Sequence, residues 1–453
     1  MRSHTKGPDA AMMRRIVLQD GQSLTDADLA RSGGVDAEVL GVAARIVDDV
    51  RARGDEALRE YTATFDKADI ADFRVTAEEI EAAVAAVEPE FLEAISAAAE
   101  AIEDFHRRQL PQSWFTTQPG GIFLGQKVTP LRRVGIYVPG GRAKYPSSVL
   151  MTAIPAIVAG VEEIVMVVPP AADGSVNPYT LAAAAEAGVD EIYRVGGAQA
   201  VAALAYGTAT IPRVDKIVGP GNAYVTAAKK LVMGDVGIDM LAGPSEVLVL
   251  ADESAVPAFI AIDLMAQAEH DPRAATYLVT TDPELPDFVE EAIELLLTES
   301  PRGDITARSL TDNGLVVVCP DVVSALQVSN FIAPEHLEVH MSEPFELLGS
   351  ITNAGAIFLG PWTPESVGDY VAGPNHVLPT GGTARFSSPL SVDDFVKKSS
   401  VLSYSAEALE ADADIVVEIA GKEGLWAHGR AVSLRLDALT EMEAELAEEE
   451  DGY

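Results

Sequence analysis

Apolar positions along this chain follow two different periods. Over the first hundred residues they recur at helical spacing. The stretch TAEEIEAAVAAV opens on Thr76 with Glu79 three residues on, the spacing of a capping box. A second helix is expected from about Glu90 to Leu110, after Pro89. No catalytic motif falls here, so scaffold or subunit contacts are the expected role. At residue 133 the texture changes. The run RVGIYVPGG is short, β-branched and closed by glycine, and the helical SSVLMTAIPAIVAGV follows it. The same alternation returns in EIVMVVPP with NPYTLAAAAEAGV, in EIYRVGG with AQAVAALAYGT, and in KIVGPGN with AYVTAAKKLV. Strand, turn and helix in succession predict a parallel sheet covered on both faces. Ligands of such sheets bind at the carboxyl ends of the strands, where these turns lie.

From EVLVLAD onward a second α/β pattern runs through PAFIAIDLMAQAEH, AATYLVTTD, PELPDFVEEAIELLL, NGLVVVCP and GAIFLG, then a Gly/Pro-rich loop from Pro361 to Pro389. Val392 to Leu446 reads as mostly helical and ends in an acidic tail. The predicted fold is α/β, with two Rossmann-like parallel-sheet domains and helical N- and C-terminal segments. The expected divisions are a helical segment over residues 1–30, a larger α/β domain from 31–132 together with 247–391, a Rossmann-like domain over 133–246, and a helical segment over 392–453. The two halves share a pattern without repeating letters, which suggests an old duplication.

Composition narrows the partners. With 453 residues and 48% hydrophobic content the chain is globular. A net charge of −38 argues against nucleic acid and against an anionic membrane surface, since both need a basic face. Ten lysines beside 22 arginines, under so dense an acidic surface, fit a halophile whose cytosolic salt screens self-repulsion. The single Cys319 excludes an internal disulfide and a cysteine zinc site, and its place after GLVVV predicts a buried strand end. The apolar stretch Ser147 to Val161 is interrupted by Pro155 and too short to span a bilayer. No apolar signal region is visible near the start, where residues ahead of Met12 or Met13 read as a start-site extension. A cytoplasmic protein is expected.

Chemistry must come from few histidines. In FIAPEHLEVH, His336 pairs either with His340, one helical turn on, to hold a metal, or with Glu335 to handle protons. Leu337 stands where a zinc hydrolase of the HExxH type needs its glutamate. Gln267 and His270 in AQAEHDP are three apart, so on a helix they share a face that grips one ion or is ordinary polar surface. The loop PESVGDYVAGPNHVLPTGG carries Asp369 and His376, and EGLWAHGRA carries Glu423 and His428. VGPGN follows a strand and precedes a helix, but Tyr224 replaces the third glycine of a dinucleotide fingerprint.

Taken in order, GIYVPGG, GGAQAVAALAYGT, KIVGPGNAYV, DMLAGPSEVLV, AQAEHDP, APEHLE, GDYVAGPNHVLPT and GLWAHGRAVSLR make the chain resemble histidinol dehydrogenases from about Arg15 to Leu439. That resemblance implies zinc-dependent oxidation of L-histidinol to L-histidine through an enzyme-held aldehyde, with two NAD⁺, at the end of histidine biosynthesis. By position it implies Gln267, His270, Asp369 and His428 as zinc ligands. Ser245, Glu423, His336 and the zinc ligands then contact substrate. Tyr137, Gln199 and Asn222 contact NAD, which assigns residues 133–246 to the cofactor. His336 is implied as the base for the alcohol proton, its ordinary pKa of about 6.5 suiting neutral pH. Glu335 is implied as the base that activates water for the second step. His340 then has no role beyond surface or packing, and His376 lies near the site without an assigned one. The resemblance also implies a homodimer with shared sites, Glu423 and His428 coming from the partner. Rival readings are a zinc hydrolase, a non-catalytic nucleotide-binding protein, and a dehydrogenase of the same family acting on another amino alcohol.

Overall fold

The computed structural model describes residues 12–29, 31, 36–140, 145–189 and 191–451. The segment ahead of Met12, read above as a start-site extension, lies outside them. The chain forms two compact units. The first holds Met1–Leu110 and Leu131–Phe395, and the second Pro111–Pro130 and Val396–Tyr453.

Strand β1 is Arg14–Val17, and the hairpin β2 (Trp114–Gln118) and β3 (Ile122–Pro130) follows four helices. Next come β4 (Arg133–Tyr137), β5 (Glu163–Val168), β6 (Glu191–Arg194), β7 (Lys216–Val218) and β8 (Gly237–Ile238). Strands β9 (Glu246–Ala251), β10 (Ala275–Thr280), β11 (Gly314–Val318), β12 (His336–His340) and β13 (Ala356–Leu359) complete the first unit, and β14 is Val396–Ser403. Strands β4 to β8 form a parallel sheet in the order β6-β5-β4-β7-β8. The six-stranded sheet runs β1-β11-β10-β9-β12-β13, also parallel. Leaving β1 aside, both sheets have the doubly wound order 3-2-1-4-5, reversing direction beside their first strand. The α/β expectation holds, and the likeness of the two halves extends to strand order.

Local signals act as the sequence predicts. The Thr76 N–H donates to Glu79 Oε2 at 2.9 Å while Thr76 Oγ1 accepts from the Glu79 N–H at 3.2 Å, starting the helix Ala77–Ala86. The next helix, Pro89–Arg107, begins on a proline that has no N–H to leave unpaired. The helix Pro146–Ala159 is apolar all round and buried, and Gly160 ends it at φ 88°. In the six-stranded sheet, alternate residues face two cores. Leu248, Leu250, Leu337 and Val339 belong to one, while Val247, Val249 and Ala251 pack with Ile260 and Leu264 of the helix Pro257–Ala268 in the other. Each such side chain, fully buried, contributes about 1.5–3 kcal/mol. Cys319 is buried just past β11, as expected.

Three features differ from expectation. Residues 14–17 were expected in a helical segment, but they form a strand, because RRIV pairs edge-on with Leu315–Val318. The Pro361–Pro389 loop contains a short helix, Glu365–Tyr370, and a turn at Thr383–Arg385. The C-terminal region is not wholly helical: β14 precedes the helices Ala406–Lys422 and Trp426–Asp451 and pairs antiparallel with β3, which also pairs with β2. That hairpin closes the second unit. Among the described residues no helix is long and apolar enough to cross a membrane.

Candidate active site

At the carboxyl end of the five-stranded sheet, the strand order reverses between β4 and β7. Tyr137 ends β4, and its hydroxyl accepts the Gly197 N–H at 3.0 Å, tying the turn after β6 over this end. Gln199, two residues on, is buried, and its Oε1 has no hydrogen-bond partner. After β7, Gly219 has φ 110°, and a Cβ there would lie 2.3 Å from the Tyr137 carbonyl oxygen. Only glycine allows that approach. Asn222 caps the helix Ala223–Val232, its Oδ1 accepting from Tyr224 N at 3.0 Å and Val225 N at 3.2 Å. A buried ion pair props the turn: Lys229 Nζ bonds Asp239 and the Gly219 carbonyl, and Asp239 Oδ2 accepts the Gly219 N–H at 2.7 Å. So Tyr137, Gln199 and Asn222 gather where a doubly wound sheet takes a dinucleotide. The unpartnered Gln199 oxygen and the glycine-lined helix N-terminus fit such a ligand.

The chain then crosses to the other sheet. Only residues 239 to 245 separate the carboxyl end of β8 from the amino end of β9. Seven residues reach at most about 25 Å, so these two sheet ends are neighbours. The linker is tied on both sides. Thr226 Oγ1 bonds the Ala242 carbonyl at 3.0 Å, the Gly243 N–H donates to Thr380 Oγ1 at 2.5 Å, and the Ser245 hydroxyl bonds Glu335.

Glu335 and His336 stand at the start of β12, beside the start of β9. The main chain of Glu246 orients both. Its N–H donates to Glu335 Oε2 at 2.9 Å, and its carbonyl lies 3.2 Å from His336 Nδ1. Gln267 Oε1 lies 3.0 Å from the same nitrogen. Both neighbours of Nδ1 are acceptors, so Nδ1 carries the proton and Nε2 holds the lone pair. Nε2 has no hydrogen-bond partner; Glu365 Oε1 is 3.7 Å away. Burial pushes the His336 pKa down to about 3, well below the ordinary 6.5 expected from sequence, so the ring is neutral. Burial raises Glu335 well above the carboxylate range, against the Glu246 N–H that lowers it. Glu246 itself is fixed by Arg31 through two bonds of 2.9 Å, yet burial outweighs that partner and raises its pKa.

The remaining predicted ligands of the first unit collect at the same end. Gln267 sits buried in the last turn of the helix Pro257–Ala268, and His270 follows the helix with an exposed face. Asp369 is in the helix Glu365–Tyr370; burial lifts it to about 6 while His270 opposes the rise. His336, Glu365 and Asp369 each offer a donor atom within 4.8 Å of the others. His376 Nδ1 lies 3.2 Å from the Asp369 carbonyl, and its Nε2 lies 3.4 Å from Ser148 Oγ of the helix Pro146–Ala159. Burial lowers His376 to about 4.

The structure therefore brings together Ser245, Gln267, His270, Glu335, His336 and Asp369 in one region, and Tyr137, Gln199 and Asn222 in another. Glu423 and His428 belong to the second unit, at the end of one helix and the start of the next. Residues 336–340 form a strand, so the His336 and His340 Cα atoms lie about 13 Å apart, not one helical turn. That separates the two histidines and removes the hydrolase reading. His340 is a buried residue, not a surface one. Sequence reasoning missed Arg31, Glu246 and Glu365. Their one legible signal was a glutamate leading an unbroken apolar strand in SEVLVLA, where a charge needs a buried partner.

The family profile described as histidinol dehydrogenase matches residues 29–436. The chain belongs to the histidinol dehydrogenase family. It is 55% identical over 429 residues to a histidinol dehydrogenase of Syntrophotalea carbinolica, covering 94% of this chain and 99% of that one. It is 57% identical over 411 residues to that of Geobacter sulfurreducens, covering 90% and 96%. The crystal structure of histidinol dehydrogenase from Elizabethkingia anophelis superposes with a TM-score of 0.88 at 37% identity, covering 95% of this chain and 99% of that one. As a member of the histidinol dehydrogenase family the chain is an oxidoreductase, and the match spans every candidate residue named above.

Proposed function

We propose that the chain oxidises L-histidinol to L-histidine through the aldehyde, using two NAD⁺ and a bound Zn²⁺. The observation that carries the reading is the double use of Glu246, whose N–H and carbonyl fix Glu335 and His336 side by side in a buried site. Residues 133–246 form the cofactor domain, with Tyr137, Gln199 and Asn222 toward NAD. Gln267 and Asp369 offer oxygen and His270 offers nitrogen, a donor set that fits Zn²⁺. Three carboxyls raised by burial, Glu335, Glu365 and Asp369, support a cation in their midst. When bound, the metal supplies positive charge that orients an amino alcohol, and the nicotinamide supplies the hydride acceptor.

The chain's own groups handle protons. His336 Nε2 takes the alcohol proton as hydride departs. The imidazolium so formed lies 3.7 Å from Glu365 Oε1, which stabilises it more once ionised. Glu335 removes a proton from the water that adds to the aldehyde; a carboxylate raised toward neutrality is a stronger base than a free one. Ser245, already bonded to Glu335, contacts substrate. Glu423 and His428 complete the substrate and metal shells from a second copy of the chain. Ile415, Ile419, Trp426 and Leu434 of the second unit are exposed in the single chain, and such an apolar surface supports a homodimer. The charge of −38 supports work in a salty cytoplasm.

NADH formation from L-histidinol, measured across a range of salt concentrations, tests the reading. NADH should form, stop after chelation and return with Zn²⁺. Absence of L-histidinol-dependent NADH at every salt concentration overturns it.

A further inference from the structure

Along β12, away from the active-site end, lies a second polar cluster that the reaction does not use. His336, Glu338 and His340 pair in register with Val247, Val249 and Ala251, so all three point toward the helix Pro257–Ala268. That helix carries Asp263 one turn before Gln267. His340 Nε2 lies 3.4 Å from Glu338 Oε2 and 3.6 Å from Asp263 Oδ2. The three donor atoms sit within 4.8 Å of one another.

Two observations point to a ligand. His340 is 2% exposed and Glu338 0%, yet neither ring nitrogen of His340 nor Oε2 of Glu338 has a hydrogen-bond partner. Polar atoms left so in a dry interior cost about 1–3 kcal/mol each. Among the described residues, no lysine or arginine pairs with Asp263 or Glu338; the one ion-pair partner of each is His340. A single imidazolium balances only one of two carboxylates. A divalent cation balances both and takes up Nε2, Oε2 and Oδ2 together. Bonds of about 2.0–2.1 Å to a tetrahedral ion put ligand atoms about 3.3 Å apart, close to the separations here.

We propose that Asp263, Glu338 and His340 form a second divalent-metal site, for Zn²⁺ or another first-row cation, separate from Gln267, His270 and Asp369. Its fourth position is left to water. The role is structural. Glu338 Oε1 accepts the Glu365 N–H at 2.7 Å, so an ion on Oε2 holds the start of the helix that carries Asp369.

Metal analysis tests this independently of the dehydrogenase reading. Metal-stripped full-length protein is saturated with Zn²⁺, dialysed and assayed for metal per chain. Two equivalents are expected in the wild type, one in His340→Leu, and one in the nearly isosteric Asp263→Asn should the histidine variant not fold. Replacing Zn²⁺ by Co²⁺ should show a visible band that persists in His270→Ala and is lost in the Asp263 or His340 variant. A single retained equivalent in the wild type overturns the proposal, as does unchanged metal content in the variants.

Discussion

The two parallel sheets share one strand order but present their candidate ligands at opposite ends. In the five-stranded sheet Tyr137, Gln199 and Asn222 lie where strands finish and helices begin. In the six-stranded sheet Glu335, His336 and Gln267 lie where strands begin and a helix finishes. The difference follows the backbone dipole. Helix N-termini offer N–H groups and partial positive charge, which suits the phosphates of a dinucleotide. Helix C-termini offer carbonyls and partial negative charge, which suits a cation. Identical topology thus supplies an anion-seeking end and a cation-seeking end, and the seven-residue linker sets them face to face.

Each end rests on a buried ion pair, and perturbation should separate their roles. The largest effect is expected at His336. His336→Gln should lower kcat by about 10²–10⁴-fold while NAD affinity, read by fluorescence titration, stays within twofold. A kcat within tenfold of wild type would remove His336 as the base. Glu335→Gln keeps an acceptor for the Glu246 N–H but loses the base. Oxidation of histidinaldehyde should fall by about 10²-fold or more, with alcohol oxidation, followed by a single-turnover assay, much less affected. Equal loss in both half-reactions would refute the division of labour.

Lys229→Met and Arg31→Met attack the two props. Each strands a buried carboxylate, at a cost of about 3–5 kcal/mol for a fully buried pair. Lys229 is 3% exposed at its side chain and Arg31 20%, so the lysine variant should unfold at lower urea. In the folded population Lys229→Met should raise KM for NAD, and Arg31→Met should lower kcat. Exchange of those two signatures would break the comparison.

The smallest effect concerns the joint between the sheets. Asn375 donates to the Met151 carbonyl at 2.6 Å and lies 3.5 Å from His106 Nε2, with His106 fully buried. Burial holds the His106 pKa below its usual value. Below about pH 6.5 the unfolded chain therefore binds a proton that the folded chain refuses, and stability falls as pH falls. His106→Gln should lose less stability between pH 7 and pH 5, measured by urea unfolding. An identical acid slope would exclude His106 as a contributor.

Much of the fold was legible because local signals agreed with the global pattern. The apolar runs before glycine turns became β4 to β7, and the capping box and Pro89 began their helices. The segment HLEVH was misleading because spacing alone suits a helix or a strand; pairing with β9 decided for a strand. RRIV became a strand for the same reason, through an edge that a distant part of the chain provides. Arg31 and Glu246 were invisible as a pair, lying 215 residues apart.

The sequence by itself determined the alternation of strands and helices, the family, and which side chains are capable of the chemistry. Those properties are written in periodicity and residue type, which need no third dimension. Only the tertiary structure decided that the pair at 335–336 is oriented by one peptide unit, that its imidazole is neutral, and that Asp263, Glu338 and His340 meet. Those depend on register and burial, and both are set by contacts between segments far apart along the chain.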